Sequence, residues 1–505
     1  MRRSGFILAC LSLLSVAPAV ITFAAPSATE TPQTINVPLN ATTAGSAVCS
    51  GTCYYVSAAG SDSNAGTSPS TAWLTVAHVN ARSFNPGDGI FFRRGDTWNE
   101  QLIPPSSGSN GNPIQFGAYG SGAPPLFDGI ETLYGWSSPT PNIYTKTGFK
   151  YIVAQLFRNG SRARQVATLV ALAATGDWFY DGAGTLSIYS ATNPALDVWL
   201  SSKIDSAINV NYGINYLTFT NLSVTRSRLN AINLSGSNIQ LSSMIGSLSG
   251  SDCIGIGTNL VGQTITTVTI TGGTLTNCGY VTGGDDNGIG TGGNGGPINN
   301  IMIDGVEIGG SAHDAIEMYA PPGSSTILVK NTYLHDGLQG GIRISGPGTQ
   351  TATLHHNLIV NNSDHGIIIN GPGTYTTFVY HNTIAGNKGA GVYAKSTNLT
   401  LKNNIIYNDG WSEVTILGIS TSSILSDYNY IFKTGTSADF YLDNNVTFTQ
   451  WKTNTGGDAH SVNALPMLCA NYYLQPTSPA IGAGTEIPTI SIYNPANIGN
   501  EMVGH

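Results

Sequence analysis

Charge is what this chain has least of. Asp, Glu, Lys and Arg make up 10% of its 505 residues, where a soluble globular protein carries ~25%. That scarcity excludes a coiled coil or long-helix protein, since either needs abundant Glu, Lys and Arg. Charge-driven disorder is excluded too, because 41% of the chain is apolar and a sizeable core can be buried. Basic residues are the scarcer sign, 20 Lys and Arg against 28 Asp and Glu, for a net charge of −8. Phosphate neutralisation needs a basic footprint, so nucleic acid is not an expected partner. Long apolar runs are also missing after the first residues, so no integral membrane span is expected there.

The first residues are the exception. Arg2 and Arg3 precede an almost wholly apolar stretch from Phe6 to Phe23, and Thr22-Phe23-Ala24 offers small residues for cleavage before Ala25. This predicts a signal peptide over 1–25 and a secreted or periplasmic mature protein. Residues 26–48, rich in Pro, Thr, Ser and Ala, read as a linker. Five cysteines then remain, an odd count that leaves at least one thiol free. Cys49 and Cys53 are placed to form a small disulfide before the strand Tyr54-Tyr55-Val56, and no second Cys or His pair stands near them to complete a zinc site.

What is present is a repeat. Short β-branched runs are each followed by Asn: Asn331, Asn357, Asn382, Asn404 and Asn429, in steps of 26, 25, 22 and 25. The frame extends upstream through Asn221, Ser243, Gly273 and Gly305. A second column starts at Ala207, Ala231, Cys253, Gly288, Ala315, Gly341, Gly366 and Gly391, each the first residue of a five-residue strand. Cys253 and Cys278 are one such repeat apart, 25 residues. Stacked short strands at this step predict a parallel β-helix, each coil pairing with the next at ~4.8 Å. Its turns need residues that tolerate left-handed backbone, which accounts for the 62 Gly and the Asn load. An Asn at one bend of successive coils can hydrogen-bond its neighbours above and below, and stacked like charges would repel. Leucine-rich and helical solenoids do not fit, for lack of a leucine-spaced consensus or a 3.6-residue apolar stripe.

The stretches YYVSAAGSDSNAGTSPSTAWLTVAHVN (54–80), NPGDGIFFRRGDTWNEQLIPPSSGSNGNPIQFGAYGSGAPPLFDG (85–129) and YYLQPTSPAIGAG (472–484) resemble segments of secreted bacterial right-handed β-helix proteins of the pectate-lyase-like superfamily. The resemblance implies an all-β, single-stranded right-handed parallel β-helix and a carbohydrate substrate, within a superfamily of lyases, hydrolases and epimerases. The expected layout is N-terminal coils over 49–129, a β-hairpin insertion over 130–205 packed on the helix, regular coils over 206–490 and a tail over 491–505. Trp178, Phe179, Tyr180 and Trp199 in the insertion are expected to pack inward. A monomer is expected.

In strands of period two, the middle residue of each copy faces away from its apolar neighbours. The outward column reads Asn233, Gly255, Gly290, Glu317, Arg343, Ile368 and Tyr393; just before the strands stand Asp252, Asp286, His313-Asp314 and Asp364-His365. Against a neutral background, ionisable residues gather on the middle coils. Glycoside hydrolysis needs one carboxylic acid and one carboxylate, ~5–5.5 Å apart for retention and ~6.5–9.5 Å for inversion. Asp286, Asp314 and Glu317 are the expected catalytic set, with Asp286 and Asp314 at equivalent places in adjacent coils and Glu317 completing the pair or held by Arg343. Asp285, His313, Tyr319, Arg343 and His365 are expected to bind substrate. No cofactor is required; calcium enters only for the alternative, a polysaccharide lyase that removes a proton beside a uronate carboxylate. Asp285-Asp286 matches one polygalacturonase motif, but Arg343-Ile344 is followed by Ser345 and His365-Gly366 is out of order, so that activity is not carried over. A third class, a non-catalytic glycan-binding scaffold, fits the Ser, Thr, Asn and Gly surface but not the cluster of acids, His and Arg. His335-Asp336, His355-His356 and His381 are expected to be structural, as are Arg93, Arg94 and Asp96.

Overall fold

The computed structural model describes residues 48–487 apart from 258–259, 261, 281–285, 293–295, 396, 419–422 and 436–438. The expected signal peptide, the linker up to residue 47 and the tail 491–505 lie outside the described residues, as does Asp285. The chain is a right-handed parallel β-helix. One coil runs along the front sheet as Ile316–Tyr319, crosses a second, bent sheet as Ser324–Lys330 and Tyr333–His335, and returns to the front as Ile342–Ser345. The front sheet has eleven strands and the bent sheet 21, and coils pair in parallel through contacts such as Ile316 with Ile342 and Ile342 with Ile367. Ile289, Ile316, Ile342, Ile367 and Val392 point inward and stack with no exposure. β-branched side chains suit this interior because their restricted rotamers match a pleated, close-packed surface.

The expected asparagine column resolves into two adjacent ones. Asn221, Ser243, Gly305, Asn331, His356, His381, Asn403 and Tyr428 take positive φ at the bend. The residue after the bend carries the ladder: the Nδ2 of Asn357 donates to Asn382 Oδ1 at 2.9 Å, Asn382 to Asn404 at 3.1 Å and Asn404 to Asn429 at 3.0 Å. Asn331 is thus a bend residue that donates to Asp304, and Thr332 tops the ladder by bonding Asn357 Oδ1. A second ladder, unforeseen, runs Asn362, Asn387, Asp409 with the same steps, at 2.9 and 2.8 Å. Each amide satisfies buried backbone groups that the turn would otherwise orphan.

Short helices lie at both ends. Val76 and Val79 of Val76–Asn80 join the main core, and Trp451 of Phe448–Thr455 stacks on Phe440 at 4.8 Å. Cys49 bonds Cys53, and Cys253 bonds Cys278 across coils with Cα atoms 5.3 Å apart. No described cysteine is a free thiol; the expected leftover was read for a chain without Cys10, which lies outside the described residues. Residues 130–205 form two small sheets, antiparallel except where Arg164–Gln165 runs parallel to Asp177–Tyr180, with their own core, in which Trp178 and Trp199 are fully buried. The Gln155 amide ties them to the coils by donating to Ser227 O at 2.8 Å, and the Arg162 guanidinium by donating to Gly279 O.

Candidate active site

The outward column is as the period-two reading expects. Asn233 pairs with Gly255, Gly255 with Gly290, Gly290 with Glu317, Glu317 with Arg343, and Arg343 with Ile368. Two successive glycines leave a vacancy over the strands, and the Asp252 carboxyl fills it: a Cβ on Gly290 would meet Asp252 Oδ2 at 2.7 Å. Glu317 stands on the next coil, about one strand spacing of ~4.8 Å further along.

Asn287 joins these groups. Its backbone N–H donates to Asp252 Oδ1 at 2.8 Å and its Nδ2 to Glu317 Oε2 at 3.3 Å. Its Oδ1 accepts from the Asp314 N–H at 3.2 Å and lies 3.2 Å from His313 Nδ1. Ser345 Oγ donates to the other Glu317 oxygen at 3.0 Å. His313, Glu317, Tyr319, Gln339, Arg343, Ser345 and Asn370 line an open groove of about 730 Å³ along the front sheet.

Electrostatics separates the acids. Enclosure of the Asp252 carboxyl, reinforced by the negative charges of Asp286 and Glu317 and opposed by the Asn287 N–H, pushes its pKa up to about 8. Asp314 shifts the other way. Burial raises it, but the His313 hydrogen bond and the Arg343 guanidinium outweigh burial and hold it below the usual carboxylate range. His313 Nδ1 lies 3.0 Å from Asp314 Oδ2 and is raised chiefly by that bond. With Asp314 and Asn287 oxygens both facing Nδ1, that nitrogen carries the proton. Arg343, lowered by burial and raised more strongly by Asp314, stays charged.

The structure brings together Glu317, His313, Tyr319 and Arg343 in the groove and sets the other candidates apart. Asp314 has no exposure and accepts from Arg343 Nε and from the Gly340 N–H at 2.8 Å, so it lies beneath the groove and not at its surface. It is the partner of Arg343, which the sequence reading paired with Glu317. Asp286 is not its equivalent: Ile289 pairs with Ile316, so Asn287 occupies the place of Asp314 and Asp286 that of His313. The column starts Gly288 and Ala315 are correctly matched, and one residue before them stand Asn287 and Asp314, so the slip lies in taking the acid at 286 for the amide at 287. Asp286 is buried close enough to Asp252 to raise its pKa. His365 lies outside the groove lining, stacked on Tyr393 at 4.7 Å, with the Ala390 N–H donating to its Nδ1 at 2.6 Å. Burial holds it below the ordinary imidazole value. Asp252 and Asn287 were not assigned from sequence. The signal for Asp252 was its place before the column, and for the vacancy above it the consecutive glycines.

His313, Asp314 and Glu317 offer ligand atoms within 4.8 Å of one another. Calcium, which an elimination reaction would call for, takes 6–8 oxygen ligands. Both Asp314 oxygens already serve Arg343 and Gly340, and a guanidinium on the same carboxylate repels a cation, so these donors do not fit it.

No protein-family model matches the chain. Its fold is that of the pectate-lyase-like β-helices: pectate lyase Pel9A superposes with a TM-score of 0.53 and 16% identity, over 88% of this chain and 95% of that one. XylC in complex with xylose gives 0.51 and 13%, over 77% and 85%. A lacto-N-biosidase of Bifidobacterium longum subsp. longum is 42% identical over 76 residues, which are 14% of this chain and 5% of that protein's length. The chain is similar to carbohydrate-active enzymes, both hydrolases and lyases.

Proposed function

We propose that the protein is a glycoside hydrolase acting on a neutral polysaccharide or glycan. Asp252 serves as the acid that protonates the leaving oxygen, and Glu317 as the facing carboxylate. The observation that carries this reading is the pair itself: two carboxyl groups from coils two apart, joined through Asn287 of the coil between them, one of them pushed up to about 8 and so protonated at neutral pH. Groups whose environments push their pKa values apart are suited to acid and base roles. Asp314 then acts from below, fixing Arg343 and His313 at the groove wall. A lyase needs a cation to neutralise the uronate carboxylate; the Arg343 guanidinium is matched by Asp314, and the Glu317 carboxylate beside it repels a polyanion. The lacto-N-biosidase stretch supports a glycan substrate, and the leader-like first 25 residues support a secreted protein.

The test is a panel of neutral and uronate polymers read for new reducing ends and for ultraviolet absorbance of an unsaturated product. Reducing ends without absorbance on a neutral glycan are expected. Absorbance on a uronate polymer overturns hydrolysis in favour of elimination, and neither signal on any polymer supports the binding scaffold.

A further inference from the structure

Trp411 stands 62% exposed on the turn before the front strand Val414–Leu417. Its place in the coil register is the informative point. Val414 pairs with Val392, Val392 with Ile367, Ile367 with Ile342, and Ile342 with Ile316. Counting back three residues from each puts Trp411, Gly389, Asp364, Gln339 and His313 in one column. His313 and Gln339 of that column line the Glu317 groove, so Trp411 stands on the same edge of the front sheet, further along it.

The ring does not project straight out. It reaches back against the edge-on His365 imidazole, with centroids 5.0 Å apart, and His365 in turn stacks on Tyr393 at 4.7 Å. Gly389 makes this possible, since a Cβ there would meet His365 Nδ1 at 2.5 Å. The Trp411 backbone N–H donates to Gly389 O at 2.9 Å and fixes the turn that carries the ring. The indole is therefore held in place before any ligand arrives, which lowers the entropy lost on binding. The His365 imidazole reaches over Gly389, three coils past His313, and Trp411 is one coil further, so its ring stands roughly 14–19 Å along the helix axis from Glu317, beyond the residues that line the groove.

A pyranose ring presents axial C–H bonds on one face and hydroxyls at its rim. The C–H face matches the electron-rich face of an indole, and the hydroxyls match polar side chains of the same turn column, such as Asp364 and, towards Glu317, Gln339. We propose that Trp411 is a carbohydrate-stacking residue that forms a subsite four coils from Glu317, binding the ring face of a sugar remote from the scissile bond. This rests on the reading of the Glu317 groove as a glycan site. The substrate class it adds is an oligomer long enough to span from Glu317 to Trp411, not a disaccharide alone.

The test uses the Glu317→Gln full chain, so that ligand survives, with xylo-, cello- and N-acetyllactosamine oligosaccharides of two to six rings as probes in titration calorimetry. Adding Trp411→Ala is expected to weaken the longer members of whichever series binds by about tenfold and leave the shortest unchanged, while Trp411→Phe restores most of the affinity. Equal binding of every length with and without the indole overturns the subsite and leaves the groove reading standing. No binding of any series to Glu317→Gln, together with no turnover by the unsubstituted chain, overturns both. Matched thermal midpoints show that the substituted chains are folded.

Discussion

At the bend, four successive coils carry the same amide, Asn357, Asn382, Asn404 and Asn429. In the outward column of the front sheet, from Gly290 to Tyr393, no two successive coils carry the same side chain. Both regions come from one repeat and share one strand spacing, yet they answer to different demands. A turn that recurs leaves the same backbone groups to be satisfied in every coil, so one solution is copied. The front strip has its strand hydrogen bonds already and gains nothing from copying. What stands there, an enclosed acid over two glycines, a carboxylate, a guanidinium, is arranged by contact between unlike neighbours.

That contrast can be broken by substitution. Glu317→Gln is expected to cut kcat/KM by about a thousandfold with little change in thermal midpoint; a variant of near-normal activity removes the front strip as a catalytic region. Replacing both Cys253 and Cys278 by Ala frees a cross-coil link closing 25 residues, at a cost of about 3 kcal/mol of stability, measured by urea unfolding. Because Cys253 follows Asp252 directly, activity should fall with it. Asn382→Ala is expected to lose about 2 kcal/mol, since it strips acceptors from Asn357 and a donor from Leu354 O in a buried site, and kcat/KM per folded molecule should hold. A loss of activity without a loss of stability would erase the distinction between the two regions. The smallest effect is on pH. With the Asp252 carboxyl pushed up to about 8, the acid form prevails below that value and kcat/KM falls about tenfold per pH unit above it. Asp252→Asn should abolish this limb and retain turnover only of aryl glycosides, whose leaving groups need no proton; a profile identical to that of the unsubstituted enzyme would exclude Asp252 as the acid.

The same contrast explains what could be read from residues alone. The coil frame, the inward isoleucines and the outward column from Asn233 to Tyr393 were legible because each depends on local period and on a step near 25. The second ladder carried the same signal, in Asn362, Asn387 and Asp409 at steps of 25 and 22, but Asp409 breaks the residue type. The site was legible only in part. Glu317 and Arg343 stand out as charges in a neutral column, whereas the Asp314 partnership with Arg343 depends on side-chain reach that register does not specify. Asn287 looks like any turn amide until its four partners are in place, and Asp252 becomes an acid of raised pKa only through the room that Gly255 and Gly290 leave above the strands.

The terminal helices carry a consequence for behaviour in concentrated solution. A β-helix is in principle open at both ends, where each last coil presents a row of backbone donors and acceptors able to template another molecule end to end. Most soluble proteins oppose such fibre growth partly by mutual electrostatic repulsion, and a chain with 10% charged residues has little of it. Val76–Asn80 and Phe448–Thr455, held by Val76, Val79 and Trp451 in the core, stand in the way of such end-to-end pairing.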